Sequence, residues 1–174
     1  MFPLAEITMR KILLNSHAQA LVEIALITPL LLVALYVTMD FGILFFTSHY
    51  TQNAVREAAR IGAILPDCTI PGVAAPCVTT VAAESCPGTN QVVQEACARL
   101  TNRLTDATVA VTLTGSYFPA TCMREVRVTA SGTYQYGLYR VIALFGMPLP
   151  TTLTLTRSAA ARYQGQPVTV TGAC

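Results

Sequence analysis

The sequence predicts an α+β protein. One long N-terminal transmembrane helix continues into a small exported domain, where a helix packs on an antiparallel sheet of three to four strands and disulfides add support. Three observations carry this expectation. Residues 24–39 form an apolar run without a charge, short stretches of strict apolar–polar alternation recur after residue 106, and every cysteine follows the apolar run.

The helix comes first. The chain is 53% hydrophobic and only 11% charged, against a usual charged share of about a quarter, so part of it is built for a medium other than water. Ile24–Met39, with Ala18–Val22 before it and Phe41–Phe46 after it, reaches the roughly 20 residues that a bilayer-spanning helix needs. Arg10 and Lys11 precede the run, and no Lys or Arg follows it until Arg56. By the positive-inside rule the N-terminus is then cytoplasmic and the chain after about residue 45 is exported. A cleaved secretory signal fits poorly, because the uncharged core exceeds the usual ~7–15 residues and "TMDFG" lacks the small-x-small pattern of a cleavage site.

The segment "TSHYTQNAVREAARIGAIL" continues the helix beyond the run, with Ala54, Ala58, Ile61 and Leu65 at helical spacing and Arg56, Glu57 and Arg60 free to face water. Pro66 ends it, since proline cannot donate to the helix and restricts the residue before it. Helix from about Gln19 to Leu65 would be roughly 70 Å long and would project well beyond the bilayer. Pro29 lies inside the run and should loosen its hydrogen bonding. The organisation expected is a cytoplasmic leader over 1–18, a transmembrane and projecting helix over 19–65, and an exported domain over 66–174.

Residues 66–90 hold four Pro and three Cys and read as a loop stapled by disulfides rather than as folded core. Asn90 can then cap a helix over "QVVQEACARLTNRL", whose Val92, Ala96, Leu100 and Leu104 share a face beside Val93 and Cys97. Strands follow in "ATVAVTLTG", "MREVRVTASGTY" and "TTLTLTRSAAARY", because alternation places one side of each on a core. The apolar stretch "YGLYRVIALFGMPLP" is too short to span and reads as a core helix or hydrophobic loop, and "PVTVTG" as a last short strand.

Cys68, Cys77, Cys86, Cys97, Cys122 and Cys174 form an even set confined to the exported part, the usage of an oxidising compartment. Six cysteines leave many connectivities open. The turn residues of "CTIPGVAAPC" favour Cys68–Cys77. Cys86 just before a helix and Cys97 within it read as too far apart for the ~7 Å limit on bridged Cα atoms, which sends Cys86 elsewhere. Cys122 and Cys174 would tie the sheet to the C-terminus. No Cys-x-x-Cys spacing occurs and His49 is the only His after the run, so a metal site is not expected. No G-x-S-x-G or phosphate loop is present, and "DFG" at 40–42 has neither a Gly-rich loop nor a catalytic loop with it. Neither an enzyme nor a cofactor is expected, and a net charge of +2 gives no field for nucleic acid.

The segment "AQALVEIALITPLLLVALYVTMDFGILFFTSHYTQNAVREAARIGA" resembles the signature of TadE-like proteins, pseudopilin-like components of tight-adherence (Tad) pilus systems. The matching features are "QALVE", the apolar run with a Pro near its start, Asp-Phe-Gly at its end, and "NAVREAARIGA" beyond it. The later "LTLTRSAAARY" is similar to the family's closing strand, whereas 66–122 is not covered. The resemblance implies a pilin-like fold and a single pass through the bacterial inner membrane, with the C-terminal domain periplasmic or extracellular. It implies pilin-like subunits, the pilus assembly platform and a prepilin peptidase as partners. It also implies cleavage just before a helix whose fifth mature residue is Glu. Counting back from Glu23 sets the cut between Ala18 and Gln19. The family's usual residue before the cut is Gly, and this chain has Ala18.

The chemistry of Glu23 fits that logic. A carboxylate in hydrocarbon needs a cationic partner, and an amine at Gln19 would lie one helical turn away, on the same chain or on a neighbouring subunit whose axial register it would set. The plainer reading is a carboxylate near enough to the headgroups to reach water. Asp40, at the outer edge of the run, reads as a solvated carboxylate. The function expected is a minor pilin or pilus-assembly subunit that works by helix packing. The alternatives are an uncleaved membrane-anchored periplasmic scaffold and an anchored Cys-rich adhesion or binding module.

Overall fold

The structure, a computed structural model, describes residues 4–69, 72–118, 121–137 and 151–164, with side chains from residue 19 onward except 116–123. The chain divides into two compact units, Met1–Gly42 and Ile43–Cys174. Helix α1 runs from Leu4 to Ile64 and continues through Pro29. It starts ahead of Gln19 because Leu4–Ala18 contains neither Pro nor Gly to stop it. At its other end Leu65 N still donates to Ile61 O at 3.3 Å, and Pro66 follows.

In the second unit the strands are β1 (Val81–Ser85), β2 (Leu104–Phe118), β3 (Thr121–Gln135) and β4 (Thr152–Arg162), with α2 (Gln91–Arg99) between β1 and β2. They form one antiparallel sheet in chain order, β1-β2-β3-β4. Alternation sets its buried face. Val109 and Val111 pair across β2–β3 with Ala130 and Val128, and all four are buried. The three strands read from alternation are β2, β3 and β4. The fourth, β1, lies in the stretch read as loop, and Val78 just ahead of it is fully buried in the core. So residues 66–90 are part of the folded core as well as a stapled loop. β1 is short, and its register against β2 shifts between Val81 and Glu84, so no alternation survives for a reader of sequence. The expectations for 138–150 and for "PVTVTG" lie outside the described residues.

Asn90 caps α2 as its position indicated, its side chain accepting from Val92 N at 2.9 Å. α2 buries Val92, Val93 and Ala96. The last part of α1 contributes Val55, Ala58 and Ala59 to the same core. The buried face of α1 is Ala54, Val55, Ala58, Ala59, Gly62 and Ala63; it keeps Ala54 and Ala58 of the expected line but not Ile61 and Leu65, which are only partly covered. Small side chains let the helix come close to the sheet: a Cβ on Gly62 would stand 2.9 Å from Val126 Cγ1.

Two disulfides are described. Cys68–Cys77 has its Cα atoms 5.1 Å apart, and Cys86–Cys97 5.5 Å. The second corrects the expectation that Cys86 pairs elsewhere. Gly88, at φ +69°, reverses the chain after Cys86 and brings it back beside α2. Glu84 holds that turn by accepting from Thr89 N and Thr89 Oγ1 at 2.8 and 2.9 Å. Cys174 and the side chain of Cys122 lie outside the described residues.

Candidate assembly segment

The residues singled out for assembly lie in the first unit. Gln19 and Glu23 are both exposed, and Gln19 Nε2 donates to Glu23 Oε1 at 3.4 Å across one helical turn. Ala18 belongs to α1, its side chain outside the described residues. Beyond Glu23 the large apolar side chains, among them Leu26, Leu30, Leu31, Leu35 and Met39, are exposed. α1 is long and apolar enough, by length and composition, to cross a membrane. An apolar surface of this extent is not left in water, and the helix fits a membrane-anchored protein. With no intramolecular cover among the described residues, it is free to pack on lipid or on other helices.

Asp40 departs from expectation. It is only 8% exposed and engaged in an interaction, so it is not a solvated carboxylate. At the turn just beyond α1 a second carboxylate, Asp67, is fully buried. Its Oδ2 lies 2.6 Å from Arg124 Nη1, and its Oδ1 accepts from Thr69 N and Thr69 Oγ1, each at 2.8 Å. Burial alone would raise this carboxyl; the Thr69 hydrogen bonds and the Arg124 guanidinium outweigh it and hold the pKa below the ordinary 3.8. Arg124 in turn lies over the Tyr163 ring, 5.6 Å from its centroid, and its carbonyl accepts from Tyr163 N at 2.8 Å. Burial, aided by the Asp67 carboxylate and opposed by Arg124, pushes the Tyr163 phenol up. The next amide, Gln164 N, donates to Ala63 O at 2.8 Å. This cluster ties the end of α1 to β3 and to the exit of β4. Sequence reasoning missed it, because Asp67 follows Pro66 and looks like any loop residue.

The described residues hold no group of three or more His, Cys, Asp or Glu able to bind a metal. What the molecule offers is surface: an uncovered apolar helix, a carboxylate near its start and a stapled domain after it.

Comparison with protein families gives a match between residues 18–60 and the family model described as TadE-like protein. The match begins at Ala18, takes in Gln19, Glu23 and the exposed apolar run, and ends within the part of α1 that enters the domain core. Comparison of the chain with curated proteins and with solved structures gives no match.

Proposed function

We propose, from the TadE-like segment at 18–60, that this protein is a minor pilin or pilus-assembly subunit of a Tad-type pilus system and acts through helix packing. The observation that carries the reading is the placement of Glu23. It stands exposed at the start of the uncovered apolar helix, one turn after Gln19, inside the matched segment. A prepilin peptidase would cut between Ala18 and Gln19. The new amine at Gln19 would then lie at the i, i+4 spacing from Glu23 at which helical side chains meet. Two such helices packed in lipid would share these charges and fix their axial offset, since an unpaired carboxylate in hydrocarbon is costly. The exported domain, with Cys68, Cys77, Cys86, Cys97, Cys122 and Cys174 oxidised, would contact neighbouring subunits.

Two measurements test this. The N-terminal mass of the protein from its native membrane should correspond to a chain starting at Gln19; a chain that keeps Arg10 and Lys11 would favour the uncut scaffold. Glu23→Gln should leave membrane insertion intact while cutting pilus production about tenfold or more, the loss of roughly 1.4 kcal/mol per packed pair. Normal piliation by that variant would remove the register role from Glu23.

A further inference from the structure

In the second unit, α1 exposes a band of aromatic residues. Phe45, Phe46 and Tyr50 are 64%, 58% and 49% exposed, and His49 is exposed beside them. They occupy adjacent turns as i, i+4 pairs, and the Phe46 and Tyr50 rings meet at 4.7 Å between centroids. The other side of the same turns is already inside the domain. Thr47, Ser48 and Thr51 are buried, and Arg157 of β4 donates to Ser48 Oγ from Nε at 3.0 Å and from Nη2 at 2.6 Å. No bare stalk therefore separates the aromatic band from the folded domain.

The direction of β4 extends this end of the unit. Ser48 meets Arg157, Gln52 Nε2 donates to Ser158 O at 3.2 Å, and Ala63 O accepts from Gln164 N, so β4 and α1 advance together. The start of β4 thus lies toward the Ile43 end, and it carries the exposed Leu153. The large hydrophobics exposed among the described residues of this unit are Phe45, Phe46, Tyr50, Leu153 and Ile64, and only Ile64 lies at the opposite end of the helix.

We infer that this end of the domain, with Phe45, Phe46, His49, Tyr50, Leu153 and Arg157, rests in the phospholipid headgroup layer. The inference builds on the membrane-anchor part of the proposed function. Continuity argues for lipid: the band follows the exposed apolar run on the same helix, with no charged residue between Asp40 and Arg56. Aromatic residues with a polar handle favour the membrane–water boundary. Charge argues for it too: Arg157 is an exposed guanidinium at the same level, and although its Nε and Nη2 already donate to Ser48 Oγ, its positive charge and remaining N–H groups suit an anionic phosphate.

The chain contains no Trp, so single substitutions give clean reporters. Phe46→Trp, Tyr50→Trp, Leu30→Trp in the apolar run and Ala98→Trp on α2 all lie at exposed positions and leave the core untouched. The full chain would be reconstituted, without other pilus proteins, into vesicles of phosphatidylcholine and phosphatidylglycerol brominated either near the headgroup or deep in the acyl chain. Shallow bromine should remove about half the emission of the Phe46→Trp and Tyr50→Trp reporters, deep bromine less, and Ala98→Trp should be unaffected. The Leu30→Trp reporter should be quenched most by deep bromine. If it is, and the Phe46→Trp and Tyr50→Trp reporters behave like Ala98→Trp, the headgroup contact is refuted and the anchor stands. If Leu30→Trp is not quenched, the anchor reading fails and this inference fails with it.

Discussion

Asp67→Asn keeps the size of the side chain and removes its charge from beneath Arg124. The amide oxygen can still accept from Thr69, so the loss concentrates on the ion pair, 2.6 Å between Oδ2 and Nη1. Removing one partner of a fully buried pair costs roughly 3–5 kcal/mol, while exposed pairs are worth roughly 0–1 kcal/mol. Asp67 is 1% exposed, but Arg124 is 28% exposed and can take up water once released. The expected cost lies between these limits, at about 2 kcal/mol, or about a thirtyfold change in the folded-to-unfolded ratio. Urea unfolding of the full chain in detergent micelles, followed by tyrosine fluorescence, reads this as a lower midpoint at unchanged slope. Acid supplies a second reading. Because the folded-state pKa of Asp67 is depressed, its stabilisation is fully present above the ordinary 3.8 and is lost as pH falls through the lower folded value. The gap between wild type and Asp67→Asn should therefore be wide at neutral pH and close only below that range. A neutral-pH gap under about 0.5 kcal/mol, the scatter of ordinary surface substitutions, would refute the assignment of this pair as a structural tie. So would a gap that acid leaves unchanged.

Other perturbations probe the remaining supports. Gly62→Val puts a branched side chain where even a Cβ meets Val126 at 2.9 Å, and overpacking should cost about 1–3 kcal/mol despite the gain in helix propensity, again measured by urea midpoint. Replacing Cys86 and Cys97 together by Ser opens a loop of sequence separation 11 and should cost about 2–3 kcal/mol. Non-reducing peptide mapping of the parent protein should recover the Cys68–Cys77 and Cys86–Cys97 pairs. Asn90→Ala removes the α2 cap and should cost about 1 kcal/mol, with faster amide exchange at Val92.

Legibility in the sequence followed the length and regularity of each signal. β2, β3 and β4 could be read because Val and Leu alternate with polar residues over several positions, and α1 because its apolar run is long. Ala54 and Ala58 were read correctly as the inner face of α1, but near residue 60 weighting the large residues Ile61 and Leu65 drew the face off its line; Gly62 and Ala63 continue the seam there because they are small. β1 was hidden by its length, its shifted register and the Pro- and Cys-rich residues around it. Cys86–Cys97 depended on a reversal at Gly88 that spacing alone does not reveal. Asp67 and Arg124 are far apart in the chain, and no local pattern links them. The TadE-like segment was legible because several features occur in order, and residues 18–60 match that family.

The shared direction of α1 and β4 has a mechanical consequence. Their side-chain attachments, Ser48 with Arg157 and Gln52 with Ser158, join the helix to the neighbouring strand at successive levels, and Gln164 N closes the far end on Ala63 O. A pull along α1 would load them in shear, all at once, whereas a pull across the axis would peel them apart one after another. A chain held by its helix and tugged through its domain would then resist best along the helix axis.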